Sequence, residues 1–178
     1  ASGNIAPNLV FGKSRGSTPG TAVSNNDRIG YISFVADDGT DMHSVGAAIV
    51  AQITGSPSSN SIPASLLFYT GGNQTSNERL RINSTGEVGI GVAAASGNLL
   101  HIKTGGTADA IAKIESESGY DARLQLDTSN GGGAGAHLDF QMDGTTKGGI
   151  EYVNNAGSSA VNSMIFRTGS NTESCLLY

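Results

Sequence analysis

The chain has 178 residues and a net charge of −5; 37% of its residues are hydrophobic and 6% aromatic, with 26 glycines and no tryptophan. Ordering glycine-rich backbone is costly and few large side chains offset that cost, so we expect burial between subunits to supply part of the stability. The ten basic residues are scattered, which argues against a nucleic-acid-binding surface.

No apolar run is long enough to cross a bilayer and no signal peptide opens the chain, so we expect neither membrane insertion nor secretion. The single cysteine, Cys175, excludes an intrachain disulfide and a cysteine-rich metal cage. Its apolar, strand-like surroundings predict a buried and inert thiol. A chain made in a bacterial host cytoplasm and released by lysis fits these features.

Short apolar runs bounded by turn residues predict strands through the first half of the chain. Residues 9–11 predict a short strand, and residues 29–34 predict a stronger one that ends in an Asp-Asp-Gly-Thr turn. Alternation over residues 45–54 favours a strand, with an alanine-rich helix as the alternative. Residues 65–70 form the clearest apolar strand of this half.

The centre of the chain, residues 79–92, reads Arg-Leu-Arg-Ile-Asn-Ser-Thr-Gly-Glu-Val-Gly-Ile-Gly-Val and predicts a hairpin. Residues 83–86 have the composition of a turn. Gly89 and Gly91 leave one face of the second strand without side chains, which indicates that another backbone approaches closely. We interpret this stretch as an oligomeric joint in which several copies of the chain wrap round a common axis.

The second half predicts further strands at residues 99–103 and 108–117, the latter with a short helix as the alternative. Its later segments echo the first half in order: residues 124–127 echo 9–11, 136–140 echo 30–34, 149–153 echo 46–50, 163–169 echo 65–71 and 173–177 echo 78–82. This order predicts an internal repeat about 100 residues long.

The predicted fold class is all-β, with tandem small β-sandwich-like or β-prism modules intertwined as a homotrimer. The predicted division has three parts. Residues 1–75 form the first module, residues 76–104 the glycine-rich hairpin joint, and residues 105–178 a second module that stops inside its own version of the hairpin.

No catalytic, cofactor-binding or metal site is predicted, and no cofactor. The sequence has no Gly-x-Ser-x-Gly elbow, and Cys175 has no histidine nearby. The spacing of Asp37, Asp38 and Asp41 indicates a solvated turn rather than a calcium loop. His101 lies beside the glycine hairpin and is the best candidate for a metal ligand on the axis of an oligomer.

The block at residues 79–91 resembles the recurrent Arg-hydrophobic-Arg-Ile-x-Ser-x-Gly-x-Val-Gly-Ile-Gly block of bacteriophage tail-fibre and related virion proteins. Residues 99–102, Leu-Leu-His-Ile, are similar to the Leu-His-Val strand that often follows it in them. Residues 7–16 resemble the segment that opens such fibre repeats. The resemblance covers these three segments and names no receptor.

The resemblance implies a structural and adhesion segment of a tail fibre or similar virion appendage, located in the virion and without enzyme activity. Its implied partners are two further copies of the chain, other virion or tail proteins and a host cell-surface glycan. The exposed loops at residues 16–26 and 55–63 would carry any glycan contacts. Four tyrosines are amphipathic enough to stack on sugars, with core packing as the alternative for most: Tyr31, Tyr69, Tyr120 and Tyr152.

Two alternatives remain open from the sequence. A tailspike-like polysaccharide depolymerase would need a pair of carboxylates at glycosidase separation, and such pairs are assembled in space rather than in sequence. A fragment of a bacterial trimeric surface adhesin would share the glycine-rich β-repeats, and its whole chain would carry a signal peptide and a membrane anchor.

Overall fold

The computed structural model describes residues 6–17, 20–71, 77–104, 109–127, 135–153, 163–168 and 172–177. Within these residues the regular structure consists of β-strands alone, arranged in two sheets, which confirms the all-β prediction. No helix in this part of the chain could span a membrane. The helical alternatives for residues 45–54 and 109–117 are wrong.

The chain divides into two compact units, Ala1–Ile111 and Ala112–Tyr178. Among the described residues, the first unit has six strands: β1 Arg28–Ala36, β2 Ser44–Ile53, β3 Ala64–Thr70, β4 Glu78–Ile82, β5 Val88–Ile90 and β6 Leu100–Ile102. The described part of the second unit has four: β7 Gly135–Met142, β8 Thr145–Val153, β9 Ser163–Thr168 and β10 Thr172–Leu177. The predicted hairpin segment 76–104 therefore continues the first sheet, while the three-part domain division stays a prediction.

The first sheet is a meander in chain order, with antiparallel pairs from β1 to β5 and a parallel pair between β5 and β6. Since directly opposed residues share a face, the register defines two faces. We call one the inner face, because its central residues form a buried hydrophobic cluster: Ala48, Val50 and Leu67, with 2%, 1% and 0% of their surfaces exposed. Tyr31, Val45 and Tyr69 pack against them.

The opposite, outer face carries two rows of residues that run across all six strands. The first row is Ile32, Ile49, Phe68, Leu80, Ile90 and Ile102. The second row is Gly30, Ala51, Leu66, Ile82, Val88 and Leu100. None of the twelve has a polar side chain, and none of them is buried.

The second sheet is an antiparallel meander, β7 to β10 in chain order. Its register matches that of β1 to β4: Leu138, Ile150, Phe166 and Cys175 pair across it as Ile32, Ile49, Phe68 and Leu80 do across the first. A bulge follows Phe140 in the β7–β8 pair, as one follows Phe34 in the β1–β2 pair. The internal repeat remains a proposal, and this correspondence supports it. The predicted alignment of residues 149–153 with 46–50 is wrong by two residues, because the register puts Ile150 in the place of Ile49.

The strands predicted at residues 9–11 and 109–117 are wrong, since these residues contain no strand, and the segment 124–127 that echoes residues 9–11 contains none either. Residue 108 lies outside the described residues. The physical reason is the same in each case: an alternating pattern forms a strand only where a neighbouring strand can accept its backbone hydrogen bonds. Leu9 and Val10 are 78% and 74% exposed, and Leu124 is 65% exposed.

Candidate functional site

The central hairpin has its turn at residues 83–86, where the sequence predicts one, and the Asn83 side chain stabilises it. Its side-chain Oδ1 accepts hydrogen bonds from the backbone N–H of Thr85 at 3.1 Å and of Glu87 at 2.9 Å. Gly86 has φ +89°, a conformation that glycine adopts without steric cost. Hydrogen bonds from Asn83, from the backbone of Gly97 at 3.0 Å and from Thr85 lower the pKa of the Glu87 carboxyl. This turn is therefore tied to the loop that follows β5.

Gly89 and Gly91, which follow this turn, lie so close to other backbone atoms that a side chain would not fit. That backbone belongs to the same chain. A Cβ atom on Gly89 would overlap the carbonyl oxygen of Val92 and lie 2.8 Å from the amide nitrogen of Ala94. A Cβ atom on Gly91, which has φ +74°, would overlap the carbonyl oxygen of Lys103. The predicted close approach is thus present, and contacts within one chain account for it without a second copy.

His101 lies on the inner face, paired with Gly89 across β5 and β6. Its Nδ1 accepts a hydrogen bond of 3.2 Å from the backbone N–H of Ala95. In a neutral imidazole whose Nδ1 is an acceptor, Nε2 carries the proton and has no free lone pair for a metal. The ring therefore closes the loop over Gly89, which is a structural role that its sequence position does not reveal.

The other candidate metal ligands are engaged in local hydrogen bonds. Asp37 accepts from the backbone of Gly39 at 2.8 Å, and Asp41 accepts from the backbone of His43 at 2.8 Å. Bonds from the Ser44 hydroxyl and from nearby backbone N–H groups lower the pKa of Asp38. The described residues contain no group of three or more His, Cys, Asp or Glu side chains that could hold a metal ion.

The segment before β1 is held by an ion-pair clasp centred on Asp27. The Arg15 guanidinium donates to both carboxylate oxygens, at 2.7 and 3.1 Å, and the Lys13 ammonium lies 3.4 Å away. With a further bond of 2.9 Å from the backbone N–H of Ser24, these contacts hold the pKa of Asp27 far below its ordinary value. The clasp fixes the segment that places the Phe11 side chain against Gly30, at one corner of the outer face.

The structure brings together the two loops that the sequence suggests for ligand contact. A cavity of about 500 Å³ lies between them, lined from both sides, with hydroxyls from Ser14, Thr21, Ser58 and Ser59. Residues 18 and 19 of the first loop lie outside the described residues. The second loop is closed by a backbone bridge between Ser58 and Ser61, with Asn60 at φ +58°.

The four candidate tyrosines divide into two pairs. Tyr31 and Tyr69 pack against the inner-face core, where the Arg28 guanidinium carbon lies 5.7 Å from the Tyr31 ring centre and burial raises the pKa of Tyr69. Tyr120, in the turn at residues 118–120, and Tyr152, on β8, are 79% and 41% exposed. Cys175 lies in β10, and its side chain is outside the described part of the chain.

The outer face of the first unit is exposed to solvent along both rows. Its six exposed row residues are Ile32 at 40%, Leu66 at 38%, Ile82 at 37%, Ile90 at 39%, Leu100 at 58% and Ile102 at 37%. Alternation in each strand indicates one apolar face. The alignment of the rows across six strands depends on the pairing register, which cannot be read from the sequence. The second sheet exposes Leu138, Phe140, Tyr152 and Met164 in the same way, by 41% to 56%.

These features define a class: an all-β chain of two meanders, each with an apolar face open to solvent. No protein-family model matches the sequence, and no curated protein matches it. A solved structure with a similar fold is the carboxy-terminal domain of the bacteriophage T5 L-shaped tail fibre. The match covers 99% of this chain and 84% of that one, with a TM-score of 0.60 and 13% sequence identity. At that identity the likeness concerns the fold.

Proposed function

We propose that the chain is a structural segment of a phage tail fibre or a similar virion appendage, which supports attachment to the host surface as a homotrimer. The observation that carries the proposal is the match of the whole chain to a tail-fibre domain. The resemblance of residues 79–91 to the recurrent fibre block is an independent support, because it rests on local sequence rather than on fold.

In this proposal the two sheets form the body of the fibre segment, and the loops form the surface that contacts the receptor. The cavity between the loops at residues 16–26 and 55–63 offers hydroxyls beside the apolar Val23 and Ile62. Such a mixture suits a glycan, which presents hydroxyls and apolar ring faces together. Other tail proteins would be neighbours in the virion, and synthesis would take place in the bacterial host cytoplasm.

The test is immuno-electron microscopy on virions of the phage that encodes the chain, with an antibody raised against the purified protein. We expect labelling on tail appendages and a loss of adsorption to host cells in the presence of the antibody. Labelling confined to the capsid, or an absence of the chain from purified virions, would contradict the proposal. A pre-immune serum of the same animal is the control.

We propose further that the chain carries out no chemistry on the glycan. Incubation of the purified protein with host capsule polysaccharide is expected to release no reducing ends. Turnover that a single Asp or Glu substitution abolishes would instead support a depolymerase of the tailspike kind.

A further inference from the structure

The outer face of the first sheet is too large and too apolar to remain in water. Its exposed side chains amount to on the order of 700 Å² of apolar surface, at or above the largest patch of a typical monomer. A β-sheet with a hydrophobic face must cover it with another layer, and among the described strands of this unit each one contacts only its neighbours in the sheet.

The second sheet presents the same feature at the same register. Leu138, Ile150 and Phe166 stand in the places that Ile32, Ile49 and Phe68 occupy in the first row. The opposite face of the second sheet is different in character, with an ion pair between Arg167 and Glu151 beside the buried Ile165. One exposed apolar face could be accidental, but two at matching positions indicate one common mode of burial.

From these observations we infer that the outer faces of both sheets are the surfaces by which copies of this chain pack against each other. The inference rests on the proposed homotrimer and names the residues that form it, with the rows of Ile32 and Leu138 directed toward the other copies. It also removes that role from Gly89 and Gly91, since backbone of their own chain already occupies the space beside them.

The chemistry of the face favours a second copy over other occupants. Its twelve row residues include no hydrogen-bonding side chain, so a glycan would lose its hydration there without new partners. A membrane surface is disfavoured by the net charge of −5, because anionic lipid attracts clusters of Lys and Arg. An identical face is apolar and uncharged over the same area, and the exposed surface of this face approaches the roughly 800 Å² per partner of a standard stable interface.

The experiment compares two substitutions on one strand of the full chain. Ile32→Glu places a charge on the outer face, and the matched control Val35→Glu places it on the opposite face of β1 at a similar exposure, 46% against 40%. Light scattering is expected to give three times the 18.0 kDa chain mass for the parent and for Val35→Glu. For Ile32→Glu it is expected to give the mass of one chain, with the far-ultraviolet β-signal retained.

A second readout does not require dissociation. In a Cys175→Ser background, Ile32→Cys is expected to give cross-linked chains with a short bis-maleimide, whereas Val35→Cys is expected to give none. This readout decides the question if Ile32→Glu fails to fold. Cross-linking at both positions alike would overturn the inference.

The outcomes separate this inference from the proposed function. A trimeric parent whose mass Ile32→Glu leaves unchanged would overturn the outer-face interface while the homotrimer stands. A monomeric parent would overturn both, and co-flotation of that monomer with phosphatidylcholine vesicles would assign the face to lipid. Labelling of virions by the antibody does not depend on any of these results.

Discussion

Both faces of the first sheet carry large apolar side chains, but these side chains lie in different surroundings. Val50 and Leu67 on the inner face are covered by their own chain, whereas Ile32 and Ile90 on the outer face keep about two fifths of their surface in water (40% and 39%). Hydrophobic composition alone therefore does not say which face stabilises the single chain. The inner face carries the buried cluster of Ala48, Val50 and Leu67, and the outer face is the surface by which, in our proposal, copies of the chain pack against each other.

The sharpest test of this difference uses two neighbouring leucines of β3. Leu67→Ala, on the inner face, removes a side chain with 0% exposure and is expected to lower the free energy of unfolding by about 2–5 kcal/mol. Leu66→Ala, on the outer face at 38% exposure, is the matched control and is expected to cost less than half as much in the dissociated chain.

Urea unfolding at a concentration where the chain is monomeric gives both values. Repeating the measurement at a concentration where it is assembled is expected to raise the cost of Leu66→Ala toward that of Leu67→Ala. Equal costs under monomeric conditions would remove the distinction between the two faces.

A substitution in the glycine hairpin distinguishes packing within the chain from packing between chains. Gly89→Ala places a methyl group against the backbone of Val92 and is expected to cost about 2 kcal/mol or more, even in a monomer. Gly12→Ala meets nothing within 4 Å and is the control, with an expected change near zero. If Gly89→Ala dissociates the oligomer while monomer stability is unchanged, the glycines belong to the interface after all.

The Asp27 clasp links pH to the corner of the outer face that Phe11 covers. Because the folded-state pKa lies below the ordinary value, the clasp stabilises the fold at neutral pH. This stabilisation is lost as the pH falls below the ordinary carboxyl pKa of about 4 toward the folded value.

The measurement is the urea midpoint of the parent and of Asp27→Asn between pH 7 and pH 2. We expect the variant to be less stable at pH 7 and the difference to shrink on acidification. The pKa values of Asp38 and Glu87 are also lowered, so the stability of both the parent and the variant is expected to keep some dependence on acid pH. A difference that is constant with pH would mean that the charge of Asp27 makes no contribution.

The smallest expected effect concerns the hydroxyl of Tyr31 on the inner face. Its oxygen is buried and has no hydrogen-bond partner among the described residues. Tyr31→Phe is therefore expected to raise the free energy of unfolding by about 1 kcal/mol or less, because an unsatisfied polar group is removed. A clear loss of stability on thermal unfolding would show that the hydroxyl has a partner in the assembled protein.

The strands β1 to β5 could be read from the sequence because alternation, β-branched residues and turn chemistry agree there. Asn83 and Gly86 illustrate this, since a side-chain acceptor and a residue with positive φ define the turn locally. The prediction failed at residues 9–11 and 109–117, where the same alternation has no neighbouring strand. A local pattern specifies a conformation that only a partner can stabilise.

The sequence by itself determined the all-β class, the positions of the strands β1 to β5 and the need for a close backbone at Gly89 and Gly91. Only the tertiary structure decided whose backbone that is and that Asp27 meets Arg15. It also decided that His101 closes a loop and that twelve apolar residues align into two rows. Each of these depends on register or on contacts between residues distant in the chain, which are set by the free energy of the whole sheet rather than by local preference.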